Sequence, residues 1–128
     1  MIIMNKSLIV IFFLVNSVFA QKRDVVYRIA YDSYPTIGYS YGISILYLRD
    51  DNTYKCLFQK YNSRKMARKN VLRSSTDEYG KWKMNGDTLL LYDNNRHPMK
   101  FFKVDDNRIA YIIDDIEISR YYWKRIKY

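Results

Sequence analysis

YGKWKMNGDTLLLY, residues 79–92, reads as a complete β-hairpin. Lys81, Trp82, Lys83 and Met84 alternate basic with apolar, the period-two pattern of a half-buried strand. Asn85-Gly86 follows, the dipeptide best suited to a two-residue turn with both central residues at positive φ. Residues 88–92 then return with Leu89 and Leu91 on one face. The expected hairpin sends Trp82, Met84, Leu89 and Leu91 into a core and leaves Lys81 and Lys83 to solvent.

Upstream, residues 24–31 alternate aromatic or β-branched side chains with polar ones and read as a first strand, broken by Asp32-Ser33-Tyr34-Pro35. Gly38 and Gly42 flank Tyr39 and Tyr41, and a second strand follows with Ile43, Ile45 and Tyr47 on one face. Arg49-Asp50-Asp51-Asn52 is turn chemistry, because Asp and Asn tolerate left-handed backbone and bond it locally. Residues 53–61 form the returning strand. Downstream, residues 93–98 are a polar loop, 99–104 a strand, 105–107 a turn and 108–113 its partner. Asp114-Asp115 turns the chain into a last strand over 116–126. Segment 62–75, NSRKMARKNVLRSS, admits two readings. It is a loop or one helical turn capped by Ser63, with Met66, Ala67 and Val71 inward, leading into a strand, or a basic loop followed by a strand over 70–74.

Seven or eight short strands at regular spacing predict an all-β fold, a small antiparallel barrel or sandwich. Strands do not alternate with long amphipathic helices, which excludes a parallel α/β sheet. The chain has 128 residues, enough for one domain. Residues 1–20 carry one positive charge, Lys6, then the apolar run LIVIFFLV over 8–15, with Val18 and Ala20 at the −3 and −1 positions of a cleavage site. That is the pattern of a secretory signal peptide. The apolar run is shorter than the roughly 20 residues needed to span a bilayer. Gln21, not a cysteine, follows the cleavage point, so no lipid anchor is expected. The expectation is a cleaved signal over 1–20 and a single β-domain over 21–128, soluble in the periplasm or outside the cell, without a transmembrane anchor.

Cys56 is the sole cysteine, so an intramolecular disulfide is impossible. Its alternation with Tyr54 and Phe58 places it among buried apolar residues. Removing Lys6 leaves 21 basic against 13 acidic side chains, a net +8. Six of the basic residues fall between Lys60 and Arg73 with no acid among them. Such a run suits phosphate, sulfate or carboxylate, and Arg64, Lys65, Arg68 and Lys69 are the candidate ligand-binding residues. Tyrosine offers a flat apolar ring with a hydroxyl at its edge, which adds Tyr39 and Tyr41 as candidates. No tyrosine lies between Tyr61 and Tyr79, so the stacking partners of a specific nucleic-acid site are missing from the basic run.

Catalytic constellations are absent from the pattern. His97 is the one histidine, and no serine stands in the glycine-flanked turn of a nucleophile elbow. One His and one Cys do not make a closed zinc site, so no metal and no cofactor are expected. The acid pairs Asp50/Asp51, Asp105/Asp106 and Asp114/Asp115 sit at turns, where solvated side chains are the expectation. A carboxylate hydrolase would need two acids from separate turns to converge across a cleft.

Tyr79-Gly80-Lys81-Trp82 with Gly86-Asp87-Thr88-Leu89-Leu90-Leu91, preceded by Leu48-Arg49-Asp50-Asp51-Asn52-Thr53-Tyr54, resembles a motif of small exported lipocalin-like bacterial β-proteins. The resemblance covers most of the chain after residue 20. It implies a barrel-like fold and export, and it carries no catalytic residue across. The chain is shorter than true lipocalins and lacks a disulfide, which argues against a large ligand cavity. The expected function is therefore a non-enzymatic binding or interaction module for a small apolar or anionic ligand or an anionic surface. The alternative is a structural envelope-associated protein acting through protein–protein contacts, for which an unpaired edge near residues 119–127 would speak.

Overall fold

The computed structural model describes residues 24–36, 38–93, 98–114 and 117–127. Eight strands follow one another in chain order and close into an antiparallel barrel. They are β1 (Val25–Ser33), β2 (Ser40–Leu48), β3 (Thr53–Tyr61), β4 (Ser74–Asn85), β5 (Thr88–Tyr92), β6 (Met99–Asp105), β7 (Arg108–Ile113) and β8 (Glu117–Ile126). One short helix, α1 (Arg64–Arg68), lies between β3 and β4. Of the two architectures the sequence allowed, the chain forms the barrel. The signal expected over 1–20 lies outside the described residues.

Strand periodicity decides what fills the barrel. Tyr27 pairs with Leu46, Leu46 with Cys56, Leu48 with Tyr54, Leu89 with Phe101, and Ile109 with Trp123. All of these are buried and form one cluster, with Val25, Ile29, Phe58, Trp82 and Met99 packed against it. An eight-stranded barrel is just wide enough for inward side chains to fill it. Full burial of a leucine such as Leu89 or Leu91 contributes about 1.5–3 kcal/mol. The other face of the strands bears Arg28, Lys55, Lys81, Lys100 and Lys124, unlike the apolar outer band of a membrane barrel.

The cluster occupies one end of the barrel, where the β2–β3, β4–β5 and β6–β7 turns lie. The seam there pairs Val26 with Ile126, Tyr27 with Arg125 and Arg28 with Lys124. The β1–β8 ladder stops at Arg28, although β1 continues to Ser33 and β8 begins at Glu117. β8 carries a register shift, since Ala110 faces Tyr122 while Ile112 faces Ile118. Two additional β8 residues are thus accommodated around Ser119–Tyr121, and the Ser119 hydroxyl accepts a hydrogen bond from the Tyr121 amide at 3.1 Å. Such bulges end pairing and bend a strand away from its neighbour. The edge anticipated near residues 119–127 is therefore divided: Lys124–Ile126 is paired with β1, and the residues before it are not.

Several boundaries differ from the sequence reading. β1 runs through Asp32-Ser33 and β2 starts at Ser40, because Tyr31, Asp32 and Ser33 find partners in Gly42, Tyr41 and Ser40. The strand expected over 70–74 does not form, since Asn70 adopts φ 57 and ends α1; β4 begins only at Ser74, five residues before the expected hairpin. The hairpin turn is Gly86-Asp87 rather than Asn85-Gly86, with Asn85 opposite Thr88 and only Gly86 at positive φ. Register explains the shift. The observed pairing sets Trp82 opposite Leu91 and Met84 opposite Leu89, whereas the expected turn would set Met84 opposite Asp87. Leu89 and Leu91 are core residues as expected, but Met84, at the rim, is 39% exposed.

β4 changes partner midway. Ser74–Lys81 pairs with β3, and Lys81–Asn85 pairs with β5. Gly80 sits at the change. A Cβ there would run into the Tyr92 backbone carbonyl and come within 2.7 Å of the buried Tyr54 ring. Two bonds lock the next residues: the Trp82 indole N–H donates to the Arg49 carbonyl at 2.8 Å, and the Trp82 amide to the Asn52 carbonyl at 2.8 Å. Gly42 is crowded differently, by the Tyr31 ring tip at 2.5 Å, and that ring is partly exposed and free to swing aside. Gly80→Ala is thus expected to cost about 1–3 kcal/mol by overpacking against fixed backbone, and Gly42→Ala clearly less. Urea unfolding of the two variants checks this; equal midpoints would contradict it.

Candidate functional site

The candidate site is built where β3 leaves the barrel. Ser63 has extended backbone and its hydroxyl accepts a hydrogen bond from the Met66 amide at 3.1 Å, so it caps α1 as expected. At the other end the Val71 amide donates to the Met66 carbonyl at 2.9 Å and the Asn70 amide to the Ala67 carbonyl at 3.1 Å. With Asn70 left-handed, this is a Schellman cap. The Arg73 amide donates to the Lys60 carbonyl at 2.8 Å, which returns the chain to the barrel beside the end of β3. A segment that lacks any buried helical residue is fixed by its caps.

Arg64 anchors this segment to β1. Its guanidinium grips Asp32 with both arms, Nη2 to Oδ2 at 2.5 Å and Nε to Oδ1 at 3.3 Å. The Tyr39 hydroxyl donates to the same carboxylate at 2.6 Å. The guanidinium also lies 5.7 Å from the centre of the Tyr41 ring, within cation–π range. Tyr34 extends the cluster, its ring 5.3 Å from that of Tyr39. The hydrogen bond from Arg64, then that from Tyr39, holds the Asp32 carboxyl below the usual carboxylate range. The same carboxylate raises the Tyr39 hydroxyl and the Arg64 guanidinium.

Of the six residues singled out in the sequence, Tyr39, Tyr41 and Arg64 come together here. Lys65, Arg68 and Lys69 stand exposed on α1 and its cap, and among the described residues they have no ion-pair partner. Arg64 is thus a positioning residue whose charge is already matched, and the three others supply the available charge. Asp32 was not anticipated: it had been read as a strand breaker. The signal was the even-numbered spacing that puts it on the outward face of β1 with Arg28. Val71, expected to face inward, is instead 51% exposed directly after the helix, and Leu72 beside it is 47% exposed.

Three further reactive groups are engaged locally. Cys56 is buried, and burial with the neighbouring Glu78 charge pushes its thiol up to about 12, which disfavours the nucleophilic thiolate near neutrality. Asp51 accepts hydrogen bonds from the Thr53 hydroxyl and amide, and Asp105 from the Arg108 guanidinium and the Asn107 amide. These bonds hold both carboxyls low, the reverse of what a general acid requires. Among the described residues no three His, Cys, Asp or Glu side chains gather as a metal site. His97 and Asp115 lie outside the described residues. A groove of about 540 Å³ runs along the outer face of β5–β7, lined by Thr88, Leu90, Tyr92, Pro98, Lys100 and Ile112. It contains none of the anticipated site residues.

Because its folded-state value is depressed, the Asp32 carboxylate contributes stability that is complete above the ordinary aspartate range and lost as pH falls through the lowered value. Carboxyl NMR titration should place Asp32 below the ordinary aspartate value, and Arg64→Ala should move it upward. An unchanged titration in that variant would show that Arg64 does not hold the carboxylate. No protein-family model, curated protein or solved structure matches the chain.

Proposed function

We propose that this protein is a non-catalytic binding module that engages an anionic partner through α1 and its flanking residues. The carrying observation is the arrangement of charge. Asp32 neutralises Arg64 and fixes it, while Lys65, Arg68 and Lys69 project from the same capped turn without a carboxylate among the described residues. Charges held on a preformed support lose little conformational freedom on binding. The buried Cys56 and the turn-bound Asp51 and Asp105 favour a non-enzymatic reading. The side-chain cluster that fills one end of the barrel favours an anionic over an enclosed apolar ligand.

Residues 1–20 support export of the chain, and the motif shared with lipocalin-like exported proteins fits an eight-stranded up-and-down barrel. Among the described residues no helix is long and apolar enough to cross a membrane. A second reading, contact with another protein, has one observation in its favour: the outer groove whose lining includes Leu90, Tyr92, Pro98 and Ile112.

The test is retention on immobilised heparin, a generic polyanion, at low salt. The wild-type chain should be retained and should elute as salt screens the charges. Lys65→Glu, Arg68→Glu and Lys69→Glu together should abolish retention while circular dichroism and thermal unfolding stay close to wild type. Retention equal to wild type in that triple variant would refute the proposed site.

A further inference from the structure

We infer that the anionic partner is a lipid bilayer surface, with Val71 and Leu72 entering the headgroup boundary between flanking basic residues. The inference rests on the anionic-partner reading and adds to it the identity of the surface. Its basis is the combination of two side-chain types on one fixed segment. Lys65, Arg68, Lys69 and Arg73 surround two adjacent aliphatic residues, each about half exposed. Neither aliphatic belongs to the barrel core. Their exposure is built in, because the Val71 amide is tied to Met66 and the Arg73 amide to Lys60.

The residue after a left-handed helix cap commonly packs its apolar side chain back onto the helix. Val71 holds that position and nonetheless stays 51% exposed. Tyr34 adds an amphipathic contact besides the two aliphatic residues. It is 79% exposed, and its ring contact with Tyr39 couples it to the Asp32–Arg64 anchor. Lysine and arginine attract anionic headgroups, aliphatic side chains gain by leaving water, and tyrosine favours the boundary between the two. A hydrated polyanion such as an acidic polysaccharide would satisfy the basic residues but leave Val71 and Leu72 in water. The bilayer surface uses both sets, with no acidic side chain between Lys60 and Arg73 to repel it.

The experiment measures sedimentation of the chain from Gln21 onward, the form that signal cleavage would leave, with vesicles of mixed phosphatidylglycerol and phosphatidylcholine, and with phosphatidylcholine alone. Heparin retention is measured in parallel. Wild type should bind the anionic vesicles and only weakly the neutral ones. Val71→Ser with Leu72→Ser should reduce vesicle affinity about tenfold or more and leave heparin retention unchanged. The triple charge reversal should abolish both. Heparin retention without vesicle binding, or vesicle binding indifferent to Val71 and Leu72, overturns the lipid inference while the anionic-partner reading stands. Loss of both in the wild type overturns both.

Discussion

Closure of this barrel depends on the close approach of β4 and β5 at Gly80. β4 is twelve residues long and belongs to two ladders in succession, with β3 and then with β5. A strand that hands over from one neighbour to the next must bend, and at the bend the Tyr92 carbonyl and the Tyr54 ring occupy the space a side chain would need. Immediately beyond, Trp82 ties the β2–β3 turn to β4 through two hydrogen bonds. A side chain at position 80 would press on the ladder that joins the first four strands to the last four. The buried cluster draws on both groups, with Leu46, Tyr54 and Cys56 from one and Leu89, Phe101 and Trp123 from the other.

The result is a molecule with two unlike ends. At one, packing, the Trp82 bonds and the β1–β8 seam concentrate the stabilising interactions. At the other, the seam is unzipped, the bulge around Ser119–Tyr121 bends β8, and α1 stands on its caps with exposed basic and aliphatic side chains. Loops that carry function are positioned by a rigid scaffold at no cost to its core. The Asp32–Arg64 pair is where the two meet: an outward residue of β1 orients a segment that the core does not reach. Exposed ion pairs contribute little to stability, so the value of this one lies in placement.

Most of the fold was legible because a half-buried strand writes its face into every second residue. β3 and β7 were read to the residue for that reason, and Leu89 and Leu91 were recognisable as core. The hairpin turn was misplaced by one residue because turn preference and register competed. Asn85-Gly86 is the better turn dipeptide, yet pairing Met84 with Leu89 gained more. The start of β4 was hidden because Ser74–Asp77 is polar and exposed, with no alternation to read. The site was half legible. A run of basic residues is visible in any sequence, but Asp32 lies thirty-two positions from Arg64, and only the barrel brings them together. A left-handed asparagine, Asn70, is what ends α1.

One end of the barrel is sealed, and the other stands open along the β1–β8 seam. Native-state hydrogen exchange resolved to single amides tests it directly. Amides of Leu46, Cys56, Leu89, Leu91 and Ile109 should be the most protected and exchange together with global unfolding. Alternate amides of residues 29–33, on the side facing β8, and those around Ser119–Tyr121 should exchange far faster. Protection that stays uniformly high along all of β1 and β8 would contradict the account, because it would require a seam zipped from end to end.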